Sequence, residues 1–273
     1  MVSRLLAKFI RPFLGRTSLG RYVAFDIVQD HYGLLNIEIP LTHGLSCPLT
    51  NREHLLSFGE IFLQGEYTSL FEHIPLPQRW LDVGAHAGFF SLELIRRHYQ
   101  KGNSADFNAL LIEPDPRGQR GIETTIRKNN LGASITGIQA AVGSEDKEIS
   151  FAVRSGMASS LDFGNSDKSG SKIITVPTIS EAEILLKLPP PYDLLKIDVE
   201  GAEFSFVKRA TRILARTKAL LVEWHAPSGQ SPEVQEMYQN LAAAGLQFRA
   251  RIQAERPAGY GQCVAVDLFQ RKK

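Results

Sequence analysis

Cysteine is scarce in this chain. Cys47 and Cys263 are the only two in 273 residues, and no C-x-x-C spacing occurs. That speaks against a disulfide framework and against a cysteine zinc site, and reads as two reduced thiols in a cytoplasmic protein. An excess of one charge is also lacking: 31 basic against 29 acidic residues leave a net charge of +2, so nothing global points to nucleic acid. No apolar run approaches the roughly 20 residues of a membrane helix, and no internal repeat is found. What is present is a composition 43% hydrophobic, enough for a real core and contrary to disorder. The length suits one large α/β domain, residues 75–273, preceded by an N-terminal extension, residues 1–74.

Within the domain, the stretch Trp80 to Leu92 stands out. A short apolar run passes through Gly84 and Gly88, and then Phe89, Leu92, Ile95 and Tyr99 fall at helical spacing. This predicts a strand, a tight turn and a helix. Again an absence is informative. A dinucleotide fingerprint needs G-x-G-x-x-G, but the second and third glycine positions hold His86 and Phe89. A phosphate loop needs glycine-lysine followed by serine or threonine, which is missing. The remaining pattern, D-x-G-x-x-x-G from Asp82 to Gly88, is similar to the S-adenosylmethionine turn of class I methyltransferases. A Cβ at Gly84 is expected to keep a ligand from the backbone, and one at Gly88 to keep the helix off the strand.

A second strand, 109–113, ends in Glu113, 25 positions beyond Gly88. A carboxylate there can accept hydrogen bonds from both ribose hydroxyls of a nucleoside. A third strand is expected over 134–142, and further strands over 148–153 and 172–179, separated by a Gly-, Ser- and Asp-rich loop. The strand 193–199 carries Lys196 and Asp198 near its C-terminal end, with Glu200 in the turn beyond. Buried parallel strands are normally apolar on both faces, so these charges need partners or a ligand. A helix from Ala202 follows, with Phe206, Val207, Ala210 and Leu214 on one face. The next strand, 219–224, leads into Glu223-Trp224-His225, which puts Glu223 and His225 on the same side. Ser231 and Pro232 open a helix that Gly245 closes. Segments 246–251 and 262–270 then pair antiparallel.

The extension reads differently. Arg4, Lys8 and Arg11 share one helical face over residues 1–21, with apolar residues over much of the rest. Such a helix either lies on an anionic membrane surface or docks on its own domain or on a second copy. A hairpin is expected over 22–39 and a helix over 51–73.

Several stretches together resemble the FkbM-type methyltransferases: GEY (65–67), DVGAHAG (82–88), IEPDP (112–116), AVGS (141–144), LLKIDVEGAE (194–203) and LLVEWH (220–225). They form an ordered series over roughly residues 50–225. One departure is His86, where the family usually has asparagine. The resemblance implies a class I methyltransferase fold, a mostly parallel seven-stranded sheet with an antiparallel C-terminal strand. It implies S-adenosylmethionine as cofactor and O-methylation of a sugar, glycolipid or natural product, with a small molecule or glycan as partner. By position, Asp82, Gly84, His86 and Gly88 would surround the methionine part, Glu113 the ribose, and Ala141 and Val142 the adenine. Asp198 and Glu200 would line the methyl-transfer mouth. Strand geometry adds Glu223 and His225 facing the acceptor, with His225 the first choice of base and Asp198 the second. No signature demands a metal, although Asp198, Glu200 and Glu223 could converge. Two alternatives are a non-catalytic binding protein on the same fold and a metal-dependent hydrolase built on those three carboxylates.

Overall fold

The computed structural model describes residues 37–102, 107–142, 146–153, 160–161, 172–259 and 261–272. The expected N-terminal helix, most of the 22–39 hairpin and most of the Gly- and Ser-rich loop before residue 172 lie outside the described residues.

A central sheet of seven strands organises the molecule. Its strands are β3 (Arg79–Val83), β4 (Asn108–Glu113), β5 (Ile135–Gln139), β9 (Tyr192–Ile197), β10 (Thr217–Ala226), β11 (Leu246–Gly259) and β12 (Gln262–Arg271), in the order β11-β12-β10-β9-β3-β4-β5. The run β10-β9-β3-β4-β5 is parallel. β12 is antiparallel to both β10 and β11, so the reversed strand lies one place in from the edge. β3 and β9 are neighbours at the point where the chain changes direction across the sheet, the place where open α/β sheets bind ligands.

Local chemistry accounts for the elements around it. Gly88 takes a left-handed conformation (φ 77°), and the helix Phe89–Gln100 (α3) starts there. Asp115 caps the helix Pro116–Lys128 (α4) by accepting from Arg117 N–H, with Pro116 in the first turn. The strands Glu148–Val153 (β6), Ser160–Leu161 (β7) and Lys172–Pro177 (β8) form a separate antiparallel sheet. It meets the main body through a bridge between Ala141 and Thr178.

Two expectations need correction. The helix expected over 51–73 is broken. It runs as Arg52–Phe58 (α1), capped by the Asn51 side chain, continues as a wider π turn over Gly59–Gln64, and stops at Gly65 in the left-handed region; a short helix, Leu70–His73 (α2), follows. The helix after Ala202 is also split, at Ala210, into Glu203–Arg209 (α6) and Thr211–Leu214 (α7), downstream of Glu181–Lys187 (α5). Ser231 stands at the N-cap of Pro232–Ala243 (α8), but its side chain makes no capping bond.

The strands Ile37–Pro40 (β1) and Ser46–Leu49 (β2) pair antiparallel. Leu45, Cys47, Leu49, Leu55 and Phe58 pack in the same apolar cluster as Trp80, Phe89 and Leu92 on one face of the sheet. Leu81, Val83, Phe206 and Trp224 belong to the cluster on the other face, as the two-residue period of β3 requires. Asn129, the C-cap of α4, ties β2 down, accepting from Ser46 N–H at 2.7 Å and donating to its carbonyl at 2.9 Å. Among the described residues no helix is long and apolar enough to cross a membrane.

Candidate active site

The ends of β3 and β9 are built around buried charge. Asp82 is 0% exposed. Its Oδ2 accepts from Ser91 Oγ at 2.7 Å, and that Oγ accepts from Trp80 Nε1 at 2.8 Å. Lys196, opposite Asp82 in the strand register, brings Nζ to 3.8 Å from Asp82 Oδ1 and donates to Asp198 Oδ2 at 2.9 Å. Burial pushes the Asp82 carboxyl up, and Lys196 and Ser91 offset part of the effect. Burial opposes the charge on Lys196, but Asp198 and Asp82 outweigh it and hold the ammonium above its ordinary range. Lys196 is thus the bridge between two strand-end carboxylates, which answers why a parallel strand carries it.

The turn after β3 is threaded tightly. A Cβ on Gly84 would fall on the Asp198 main chain. The close approach of two strand ends therefore requires the glycine by itself, a demand that the spacing alone did not show. Gly88 also lacks room: a Cβ there would lie 3.1 Å from Leu111 and 3.7 Å from Ile122. His86 sits at φ 49° and donates its N–H to Glu113 Oε2 at 2.7 Å. Asp115 N–H donates to Glu113 Oε1 at 2.8 Å. Burial nevertheless pushes Glu113 up to about 7. The His86 ring stands edge-on to His54, 5.3 Å between centroids. Burial holds both neutral, His86 near 4 and His54 near 3.

One cleft opens over these groups. Gly84, His86, Glu113, Ala141, Val142, Asp198, Glu200 and Glu223 all line it, whereas Asp82, Gly88 and His225 lie behind its wall. Apolar Phe151 lies beside Ala141 and Val142. A further part of its wall holds Glu60, Glu66, Tyr67 and Arg256. Gln253 of β11 donates to Glu66 Oε1 at 2.6 Å, which ties that wall together. Burial, then the charge of Glu66, pushes Glu60 up to about 7. Burial and the charge of Asp198 push Glu223 well above the usual carboxylate range.

His225 occupies a different setting. Nδ1 lies 2.7 Å from Glu203 Oε1, and Nε2 lies 3.6 Å from both Glu200 Oε2 and Glu223 Oε1. Burial alone would lower its proton affinity, but the bond to Glu203 and the three carboxylate charges raise it to about 10. At neutral pH the ring carries both protons. Asp198, Glu200 and Glu223 share the cleft, yet no group of three or more His, Cys, Asp or Glu side chains among the described residues is placed to hold a metal ion.

Sequence reading did not reach Glu60, Glu203, Gln253 or Arg256. Glu66, Tyr67 and Glu203 lie inside quoted motifs, which was a usable signal. Gln253 and Arg256 carried none.

A parallel sheet with one reversed strand set in from its edge, and an acid-and-glycine turn at its switch point, defines the class I methyltransferases, whose methyl donor is S-adenosylmethionine. Residues 82–248, more than half of the chain, match the Methyltransferase FkbM domain, and the chain belongs to that family. No curated protein matches it. Solved structures with similarity include fibrillarin from Aeropyrum pernix with natively bound S-adenosyl-L-methionine (14% identity, 71% of this chain and 68% of that one, TM-score 0.44). Others are a precorrin-6y C5,15-methyltransferase from Geobacter metallireducens (14%, 71% and 80%, TM-score 0.38) and the M1A22 tRNA methyltransferase TrmK of B. subtilis (12%, 76% and 66%, TM-score 0.41).

Proposed function

We propose that this protein transfers a methyl group from S-adenosylmethionine to a hydroxyl of a small-molecule or glycan acceptor such as a sugar, a glycolipid or a natural product. The observation that carries this reading is the group of carboxylates with raised proton affinity, Glu60, Glu66 and Glu223, on the cleft that also contains Glu113 and Asp198.

The residues suit the cofactor. Each oxygen of Glu113 already accepts one backbone N–H and keeps a lone pair for a ribose hydroxyl. Ala141, Val142 and Phe151 offer an apolar surface for adenine, and the Gly84–His86 turn with Asp198 suits the methionine end. An acidic cleft favours a cation. When bound, the cofactor supplies a methyl group on a positively charged sulfur that needs no further activation.

The protein's remaining tasks are positioning and proton removal. Glu223 is our choice for the group that takes the hydroxyl proton. It lines the cleft, its proton affinity is raised by burial and by Asp198, and a bound cation stabilises its ionised form. Asp198 is tied to Lys196 and serves to orient. His225, already protonated, has no lone pair to accept with and acts on Glu223 from behind.

The test is mass analysis of a metabolite pool incubated with protein and S-adenosylmethionine. A hydroxyl-bearing compound should gain one CH2. With that acceptor, Glu223→Gln should lower kcat by about 10²-fold or more while S-adenosylhomocysteine affinity stays near wild type. Cofactor binding without transfer to any compound would favour the non-catalytic alternative, and full activity of Glu223→Gln would remove Glu223 as the base.

A further inference from the structure

Glu203 stands in the first turn of α6, behind the cleft wall, and is 0% exposed. One carboxylate oxygen meets His225 Nδ1 at 2.7 Å, and the other, Oε2, is buried with no hydrogen-bond partner. A carboxylate so enclosed is tolerated only beside a positive charge, and the adjacent charge is the His225 ring. The other ring nitrogen lies 3.6 Å from Glu223 Oε1. A line of side chains therefore runs from the interior to the cleft: Glu203, His225, Glu223. The groups facing His225 are Glu203 from α6, Glu200 from the turn after β9 and Glu223 from its own strand, with uncharged Val264 opposite on β12. Glu223 in turn faces Asp198, Lys196 and Glu66.

We propose that Glu203 is a positioning residue for methyl transfer, holding His225 as a fixed cation that orients Glu223 on the cleft wall. It rests on the reading of Glu223 as the base. The Glu203 bond selects one ring orientation, since only Nδ1 can reach it while Nε2 points to the cleft side. A base oriented by a second group that is itself held by a third is a recurrent arrangement for proton transfer. Removing the charge of Glu203 lowers the proton affinity of His225 and frees its ring to turn, and Glu223 then faces a positive neighbour that is less firmly held.

The deciding measurement is nitrogen NMR of the histidine rings, with His225 assigned from a His225→Gln spectrum. In the wild type both ring nitrogens of His225 should stay protonated through pH 8. In Glu203→Gln the ring should titrate about 2 pH units lower than in the wild type. Once an acceptor is found, the same variant should lose about 10- to 100-fold in kcat. Its alkaline limb of activity, set by loss of the His225 proton, should move to lower pH, with the KM for S-adenosylmethionine unchanged. Glu203→Asp, which keeps the charge, should keep the ring protonated. A wild-type His225 that is neutral at pH 7 overturns the proposal, and needs no variant to fold. So does a folded Glu203→Gln in which neither the ring titration nor the pH–rate profile moves. A wild-type protein that shows the protonated ring but no methyl transfer would count against the parent reading instead.

Discussion

The carbonyl oxygen of Asp198 lies 1.6 Å from where a Cβ on Gly84 would stand. The two residues end adjacent strands, and their main chains press together with no side chain between them. Nothing at this contact can rotate away, because the opposing atoms are backbone.

Gly84→Ala should therefore unfold the site before it tests any ligand contact. The added methyl meets the Asp198 main chain, and φ 77° adds strain for any L side chain. We expect a loss of about 3 kcal/mol or more, read as a large drop in melting temperature or a failure to fold. A melting temperature equal to wild type would show that β3 and β9 part readily at this end.

Glu113→Ala should weaken S-adenosylmethionine binding by about 10- to 150-fold, corresponding to about 1.5–3 kcal/mol for a lost charged acceptor. It should also lower stability, because the N–H groups of His86 and Asp115 lose their acceptor. Titration calorimetry and a thermal melt on the same sample separate the two effects. Normal affinity in the folded variant would take Glu113 out of the ribose site.

Cofactor affinity should rise with pH. Below about 7, Glu60 and Glu113 hold protons that an arriving cation must displace, and above it they are ionised. Affinity for S-adenosylmethionine should increase between about pH 5.5 and 8, by at most tenfold per pH unit for each proton released. S-adenosylhomocysteine lacks the sulfonium charge and should show a shallower slope. Equal slopes for the two ligands would detach the carboxylates from recognition of the cation.

His225 should make the folded protein lose stability on the alkaline side. Its folded value, about 10, exceeds the unfolded value of about 6.5. Its contribution is complete below the unfolded value and is lost as pH rises through the folded one. Across that window the slope approaches about 1.4 kcal/mol per pH unit. Melting temperatures between about pH 8 and 9.5 should fall more steeply for wild type than for His225→Gln. Parallel lines would place the His225 pKa near its ordinary value.

The parts of the site that were legible in the sequence are those set by local periodicity. The turn from Asp82 to Gly88, Glu113 at a strand end, and the shared side of Glu223 and His225 all follow from strand and helix repeats. What was not legible depends on contacts between distant segments. The crowding at Gly84 comes from Asp198, just beyond the end of another strand. The charge of His225 is fixed by Glu203, 22 positions away on a helix. The part of the cleft wall that holds Glu66 depends on Gln253 reaching it across 187 positions, and no spacing rule spans that distance. The broken helix at Gly65 lies between these cases: the glycine was visible, but the preceding turn fits both a helix that continues and one that stops.

The strand order has a consequence for the newly made chain. β11, which brings Arg256 to the cleft and Gln253 to Glu66, is hydrogen-bonded in the sheet to β12, and β12 follows it in the sequence. During synthesis, the turn at Gly84, the Glu113 carboxylate and the Ala141–Val142 edge are all complete long before β12 leaves the ribosome. A nascent chain stopped after β10 would hold every residue assigned to the methyl donor and yet lack Arg256 and the Gln253 bond that holds Glu66 at the cleft. The residues assigned to the donor should therefore be in place earlier in translation than the part of the cleft wall that β11 supplies.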